Sequence, residues 1–157
     1  MLKKISKIGF LTAVIVLAGA FSIVKAQTVT GSIGNGTVTR GTAAKATVVM
    51  SFPSGLHANS NRPGSEYAIP TTVRASASGI KIGAVSYPRG KNRKFEFSEN
   101  TLNVYEGRTT FTFPVTVPPT YKGSTVKVNV TVKYQACTNE VCYPPKSKQV
   151  TLTAKVN

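Results

Sequence analysis

The stretch from Thr125 to Tyr134 alternates strictly between polar and apolar side chains. Its apolar members are Val126, Val128, Val130, Val132 and Tyr134. A period of two over this length predicts a β-strand with one face on a hydrophobic core and the other in water. Residues 148–156 repeat the pattern, with Val150, Leu152, Ala154 and Val156 predicted to point inward. Two long amphipathic strands are therefore expected near the end of the chain.

Shorter runs rich in Val, Thr, Ile, Phe and Tyr are separated by Gly, Pro, Asn and Ser. They predict further strands at residues 45–52, 71–76, 80–85, 94–97, 102–105 and 109–117. No stretch after residue 26 shows a convincing helical period. Many short strands in one domain's length of chain favour an all-β fold, specifically an immunoglobulin-like β-sandwich.

The first 26 residues have the pattern of a secretory signal peptide. Lys3, Lys4 and Lys7 precede an apolar run from Ile8 to Val24, and Ala26 provides a small residue before the expected cleavage point. We predict a cleaved signal peptide at residues 1–26 and a single domain at residues 27–157. The alternative is an uncleaved membrane anchor, because the apolar run is near the lower length limit for a transmembrane helix. The export signal predicts a periplasmic protein, with secretion as the alternative.

The chain is strongly basic, with a formal net charge of +15. Removing Lys3, Lys4, Lys7 and Lys25 with the signal peptide would leave +11. Such a charge favours contact with polyanions. However, the basic residues are scattered apart from one cluster at residues 89–94, and no recognition helix accompanies them. We expect no nucleic-acid partner, and a surface suited to acidic partners or anionic membrane faces.

Cys137 and Cys142 are the two cysteines of the chain. An oxidising compartment would allow them to form a disulfide. A disulfide that closes so short a loop would stabilise the fold by only about 2 kcal/mol before strain. The close pair therefore fits reversible redox chemistry better than structural stapling. A disulfide that only clips a loop remains the alternative.

Other chemistries have weaker support in the sequence. Metal binding would need more ligands than two thiols and His57, the only histidine, which lies 80 residues before Cys137. Hydrolysis is disfavoured because the chain has five Glu, no Asp and no recognisable nucleophile motif. We expect no metal and no cofactor.

Two segments around the cysteines resemble the N-terminal periplasmic domain of the thiol:disulfide interchange protein DsbD. They are Val-Lys-Tyr-Gln-Ala-Cys at residues 132–137 and Cys-Tyr-Pro-Pro at residues 142–145. Weaker similarity lies in the loop at residues 55–63, in Ile69-Pro70, in Tyr87-Pro88 and in Tyr105-Glu106-Gly107. The resemblance covers residues 44–156.

The resemblance implies an immunoglobulin-like sandwich with Cys137 and Cys142 as the redox pair at one exposed end. It suggests that Cys142 attacks first, and that a lid over the pair lies in the region of residues 87–93. The implied activity is that of a thiol–disulfide oxidoreductase-type electron carrier. Such a carrier takes electrons from a thioredoxin-like or membrane donor protein and passes them to disulfide-containing periplasmic proteins, without a small-molecule substrate.

This sequence departs from the family at two points. The insert between the cysteines, residues 138–141, is one residue shorter than in the best-known members. The sequence ends at Asn157 without a thioredoxin-like domain, so we expect any electron donor to act in trans. The alternative function is a non-catalytic extracytoplasmic binding or assembly module whose disulfide is only structural.

Overall fold

The structure is a computed structural model that describes residues 26–157. The predicted signal peptide lies outside this range except for Ala26, which is exposed. Within residues 26–157, no helix has the length and apolar character needed to cross a membrane.

The described residues form twelve β-strands and no helix. The strands are β1 (Thr28–Ile33), β2 (Thr37–Val38), β3 (Ala43–Ser51), β4 (His57–Asn59), β5 (Thr72–Ser76), β6 (Lys81–Ile82), β7 (Lys91–Arg93), β8 (Leu102–Glu106), β9 (Arg108–Thr116), β10 (Thr125–Tyr134), β11 (Ala136–Cys137) and β12 (Lys146–Val156). The prediction of an all-β fold is therefore confirmed.

Three four-stranded sheets make up the domain. Two of them, ordered β1-β3-β9-β6 and β2-β12-β10-β5, contribute to one shared hydrophobic core. The third is ordered β11-β4-β8-β7. The strands pair antiparallel except for β2, which runs parallel to β12.

The predicted long strands pair with each other along their whole length. β10 and β12 are in register from Thr125 opposite Lys155 to Tyr134 opposite Lys146. Every predicted inward residue of β10 is buried. Full burial of a valine contributes roughly 1.5–3 kcal/mol, so the four valines of this strand are a substantial part of the stability. On β12, Leu152 and Ala154 are buried, whereas Val150 and Val156 are only partly covered.

The third sheet is built from extensions of the sandwich strands at one end. β4 follows β3, β11 follows β10, and β8 leads into β9 through Gly107, whose φ of 61° favours glycine. One face of this sheet, with Ala58, Tyr105 and Ala136, belongs to the main core. The opposite face has its own small core of Phe95, Leu102 and Val104, with Ala68 packed against it.

Two short strands differ from their predicted bounds. Residues 94–97 are not a strand, because the strand in this hairpin is β7 and the following residues fold back over the third sheet. The strand predicted at residues 80–85 is limited to β6. Beyond it Gly83 packs so closely on the Pro114 ring that a side chain at this position would clash with it. Proline also has no N–H with which to extend the ladder.

Candidate functional site

Cys137 and Cys142 form a disulfide, with their Cα atoms 4.0 Å apart. The turn between them is closed by backbone hydrogen bonds of 2.8 Å from Thr138 N to the Val141 oxygen and from Tyr143 N to the Ala136 oxygen. The Thr138 hydroxyl also accepts bonds from the backbone N–H groups of Glu140 and Val141. The cysteine turn is therefore a defined hairpin at the end of β11.

The two sulfur-bearing residues differ in their access to solvent. Cys137 is fully buried on β11, whereas Cys142 is partly exposed. Cys142 lines a cavity of about 420 Å³ together with Tyr67, Phe97 and Leu102. A molecule approaching through this cavity would meet Cys142.

The segment between β7 and β8, residues 94–101, provides a stacked aromatic cover for this end of the sheet. Phe95 stacks on His57 with ring centroids 4.2 Å apart, and Phe97 stacks on Phe95 at 5.2 Å. The expectation of a lid at residues 87–93 is therefore wrong in its position. Instead, the Tyr87 hydroxyl accepts a hydrogen bond of 2.9 Å from Val73 N, and the Tyr87 ring packs on Phe111. Residues 91–93 form β7.

A row of four residues crosses the third sheet at the cysteine pair. Cys142 pairs with Cys137, Cys137 lies opposite His57, and His57 lies opposite Glu106. Residues directly opposite in an antiparallel pair point to the same face, with Cβ atoms about 4.5–5.5 Å apart. The His57 side chain therefore projects from the same face of the sheet as those of Cys137 and Glu106 and lies between them in strand order.

His57 is buried, and its Nε2 has no hydrogen-bond partner among residues 26–157. Burial lowers the pKa of His57 below its ordinary value of 6.5, and the charge of Glu106 acts in the opposite direction. Burial thus favours the neutral imidazole, and its Nε2 is available to accept or donate a proton.

Glu106 is held by the two basic residues of β7. Arg93 donates to both carboxylate oxygens, at 2.8 Å and 3.0 Å, and Lys91 lies 3.4 Å away. The hydrogen bond from Arg93 is the largest cause of a lowered pKa at Glu106. Glu106 is therefore a fixed negative charge beside His57 at neutral pH.

The sequence predicted no role for Asn59, Phe95 or Phe97, and His57 was considered there only as a metal ligand. Asn59 is buried, lines the cavity with Cys142, and has an Oδ1 without a partner in the described part of the chain. A signal existed in the alternation of His57-Ala58-Asn59, which is typical of a strand with two faces. Phe95 and Phe97 have the same spacing, but their stacking on the sheet requires a reversal of the chain that spacing does not predict.

Apolar and acidic groups gather at this end of the molecule. Among residues 26–157, the exposed large apolar residues are Tyr67, Ile69, Phe97, Val141 and Tyr143. Tyr67 and Phe97 line the cavity, and Val141 and Tyr143 flank Cys142. The carboxylates lie close by. Glu99 lines the cavity, Glu66 is next to Tyr67, and Glu96, Glu106 and Glu140 line a neighbouring cleft.

These observations define an all-β domain with a single disulfide at one end of its sandwich. One cysteine of the disulfide is buried and the other is accessible. A family profile described as thiol:disulfide interchange protein DsbD, N-terminal, matches residues 35–154. This chain belongs to that family, and its immunoglobulin-like fold class is as predicted. Curated protein sequences provide no significant match.

The solved structures similar to the chain include two bacterial domains. The N-terminal domain of DsbD from Neisseria meningitidis in the reduced form is 19% identical, with a TM-score of 0.45 over 70% of this chain and 80% of that one. The N-terminal periplasmic domain of ScsB from Proteus mirabilis is 13% identical, with a TM-score of 0.52 over 80% of this chain. The match spans 45% of the ScsB chain. At 13% identity the similarity to the ScsB domain supports the fold alone.

Proposed function

We propose that this protein is an exported thiol–disulfide exchange domain that works through a reversible Cys137–Cys142 disulfide. It would pass reducing equivalents between a thioredoxin-like or membrane donor protein and extracytoplasmic substrate proteins. The observation that carries the proposal is the asymmetry of the pair, with Cys137 buried and Cys142 at a cavity. Membership of the DsbD N-terminal family supports the general chemistry.

The asymmetry assigns different roles to the two cysteines. Thiol–disulfide exchange requires a thiolate that reaches the partner's disulfide and a second thiol that resolves the mixed disulfide. Cys142 is accessible, so it forms the mixed disulfide. Cys137 is within bonding distance of Cys142 and shielded from other disulfides, so it resolves the intermediate.

The surroundings of Cys142 favour a protein as the partner. Tyr67 is 86% exposed, Val141 50% and Tyr143 44%, which is unusual for side chains of this size clustered around one site. Exposed apolar groups that gather around a reactive residue are typical of a protein interaction surface. The partner would bury them while its sulfur approaches Cys142.

Export is part of the proposal. We propose that residues 1–26 are removed and that residues 27–157 act as one domain in the periplasm, with the donor in trans. The positive n-region, apolar run and small residue at Ala26 support this. The similar ScsB domain is described as periplasmic.

The first experiment measures the reduction potential of the Cys137–Cys142 pair in thiol buffers, with alkylation and mass spectrometry reporting the fraction reduced. Carrier disulfides lie at roughly −120 to −270 mV, whereas structural ones lie below about −300 mV. We expect a value in the carrier range. A value well below that range would instead support a structural clip and a non-catalytic binding module.

The second experiment uses a matched pair of single variants expressed in the native compartment. Cys137→Ser leaves the accessible Cys142 without its resolving thiol, so we expect a covalent complex with a partner protein on non-reducing gels. Cys142→Ser leaves only the buried thiol and serves as the control. Equal trapping by both variants, or by neither, would contradict the roles assigned here.

A further inference from the structure

The proposed function leaves one chemical problem, which is the proton of Cys137. Cys137 is fully buried and has no access to water. Burial in apolar surroundings disfavours a thiolate, yet only the thiolate attacks a disulfide. A resolving cysteine in this position needs a nearby group that takes its proton.

His57 occupies the place where such a group is needed. It lies directly opposite Cys137 on the neighbouring strand and points to the same face of the sheet. It is 3% exposed, and its Nε2 has no hydrogen-bond partner in the described residues. A buried polar atom without a partner is costly, so its retention is a sign of a role.

We propose that His57 is the acid–base partner of Cys137 and that Glu106 is a positioning residue that stabilises the imidazolium form. The proposal rests on the proposed function, since it assigns the proton transfer of that same exchange reaction. It concerns residues that neither the sequence pattern nor the family match had assigned.

The reaction begins when the Cys142 thiolate attacks the partner's disulfide. A Cys142–partner bond forms, and the partner's disulfide bond breaks and releases its other sulfur as a thiolate. The Cys137 thiol then gives its proton to His57 Nε2 and attacks the Cys142 sulfur. The Cys137–Cys142 bond forms and the bond between Cys142 and the partner breaks. The electron pair leaves on the partner sulfur that had been bonded to Cys142. The imidazolium returns its proton to that thiolate or to water. Two electrons have passed from this domain to the partner.

The charges around His57 suit this transfer. From β8, Glu106 is opposite His57 and carries a negative charge that favours the imidazolium. Arg93 and Lys91 of β7 face Glu106 and partly offset it. From the β7–β8 segment, the apolar ring of Phe95 covers the imidazole, with Lys94 and Glu96 on either side of it along the chain. From β11, the facing group is Cys137 itself.

The first test uses the fact that the chain has a single histidine, so its Cε1–H proton gives one NMR signal if the purification tag has no histidine. We would titrate this signal in the oxidised and the reduced protein. Coupling to the Cys137 thiol predicts that the imidazolium persists to higher pH in the reduced protein. Reduced Cys137→Ser should titrate like the oxidised protein. Identical titrations in the oxidised and reduced wild type would overturn the proposal.

The second test follows exchange with a small neutral probe, bis(2-hydroxyethyl) disulfide, by acid quenching and mass spectrometry. His57→Phe keeps an aromatic ring against Phe95 but cannot take a proton. We expect it to form the mixed disulfide on Cys142 at the wild-type rate and to resolve it roughly 10²-fold more slowly near neutral pH. The deficit should shrink as the pH rises and solvent hydroxide replaces the imidazole.

Glu106→Gln replaces His57→Phe as the test variant if His57→Phe does not fold. It also tests whether Glu106 stabilises the imidazolium form of His57. It should move the pH profile of resolution and the His57 titration to lower pH while leaving mixed-disulfide formation unchanged. Unchanged resolution profiles in the folded variants would overturn the inference alone. A wild type that never reacts with the probe would instead overturn the proposed function.

Discussion

Phe95 lies flat on His57, with ring centroids 4.2 Å apart and ring planes 10° apart. This contact joins the β7–β8 segment to the sheet that carries Cys137, because His57 is opposite Cys137 in register. Phe95 and the His57 imidazole are therefore one packed unit on the face of the sheet that carries Cys137. A substitution at Phe95, His57 or Cys137 should therefore alter the surroundings of the other two residues.

Phe95→Ala should destabilise the domain and open the cysteine end to solvent. Phe95 is 7% exposed and forms a small core with Leu102 and Val104. Truncating a buried phenylalanine costs about 3 kcal/mol or more, so the urea midpoint should fall clearly. The disulfide should also be reduced faster by dithiothreitol, since His57, the residue opposite Cys137, loses the ring that packs on it.

Phe97→Ala provides the matched control, because Phe97 is 39% exposed and stacks on Phe95 from outside. A stacked aromatic pair contributes about 0.5–1.5 kcal/mol beyond burial, so its loss should be smaller. Equal losses of stability in the two variants would show that the exposed Phe97 contributes as much as the buried Phe95 and would contradict this prediction.

Replacing both cysteines with serine should leave a folded domain. The disulfide closes a very short loop, so losing the link should cost about 2 kcal/mol in free energy of unfolding. The hydroxyl that Cys137→Ser places at a fully buried position should add about 1–3 kcal/mol. Neither cysteine belongs to the main core, which the long strands supply. Urea unfolding of the double variant, compared with the oxidised wild type, measures the difference. Loss of cooperative unfolding would contradict the view that the sandwich folds without this link.

Stability should decline as the pH falls below about 6.5, the ordinary histidine pKa. The pKa of His57 is lowered in the folded state by burial, so the unfolded chain binds a proton more readily. Stability from this residue is therefore fully present above the unfolded pKa and is lost as the pH falls toward the folded pKa. Glu106 has a lowered pKa and adds a separate loss only at more acidic pH, below its ordinary value of 4.5.

Urea midpoints at about pH 7.5 and pH 5.5 separate these two effects, since carboxylates such as Glu106 remain ionised across that interval. The wild type should lose stability over the interval, and His57→Phe should lose less. The same loss in both proteins would assign the dependence to another group.

The sandwich was predictable because its strands obey a simple rule. On β9 the residues Phe111, Phe113 and Val115 are all buried and alternate with exposed or partly exposed neighbours. The cysteine pair was also predictable, since its spacing is local. The rest of the site was not, because His57, Glu106 and Cys137 come from three strands far apart in sequence. Their neighbourhood depends on strand order, which residue periodicity alone does not determine.

The exposed apolar residues should matter for partner capture and not for stability. Tyr67 is 86% exposed and lines the Cys142 cavity, so Tyr67→Ser should change the free energy of unfolding by less than about 0.5 kcal/mol. In the Cys137→Ser background it should nevertheless reduce the yield of covalent complex, because a partner would bury this ring before exchange. Lys127→Ser, an exposed change on the outer face of β10, is the control and should leave capture intact. Equal capture by both variants would place the docking surface elsewhere, and a lower urea midpoint for Tyr67→Ser would assign the ring a structural role.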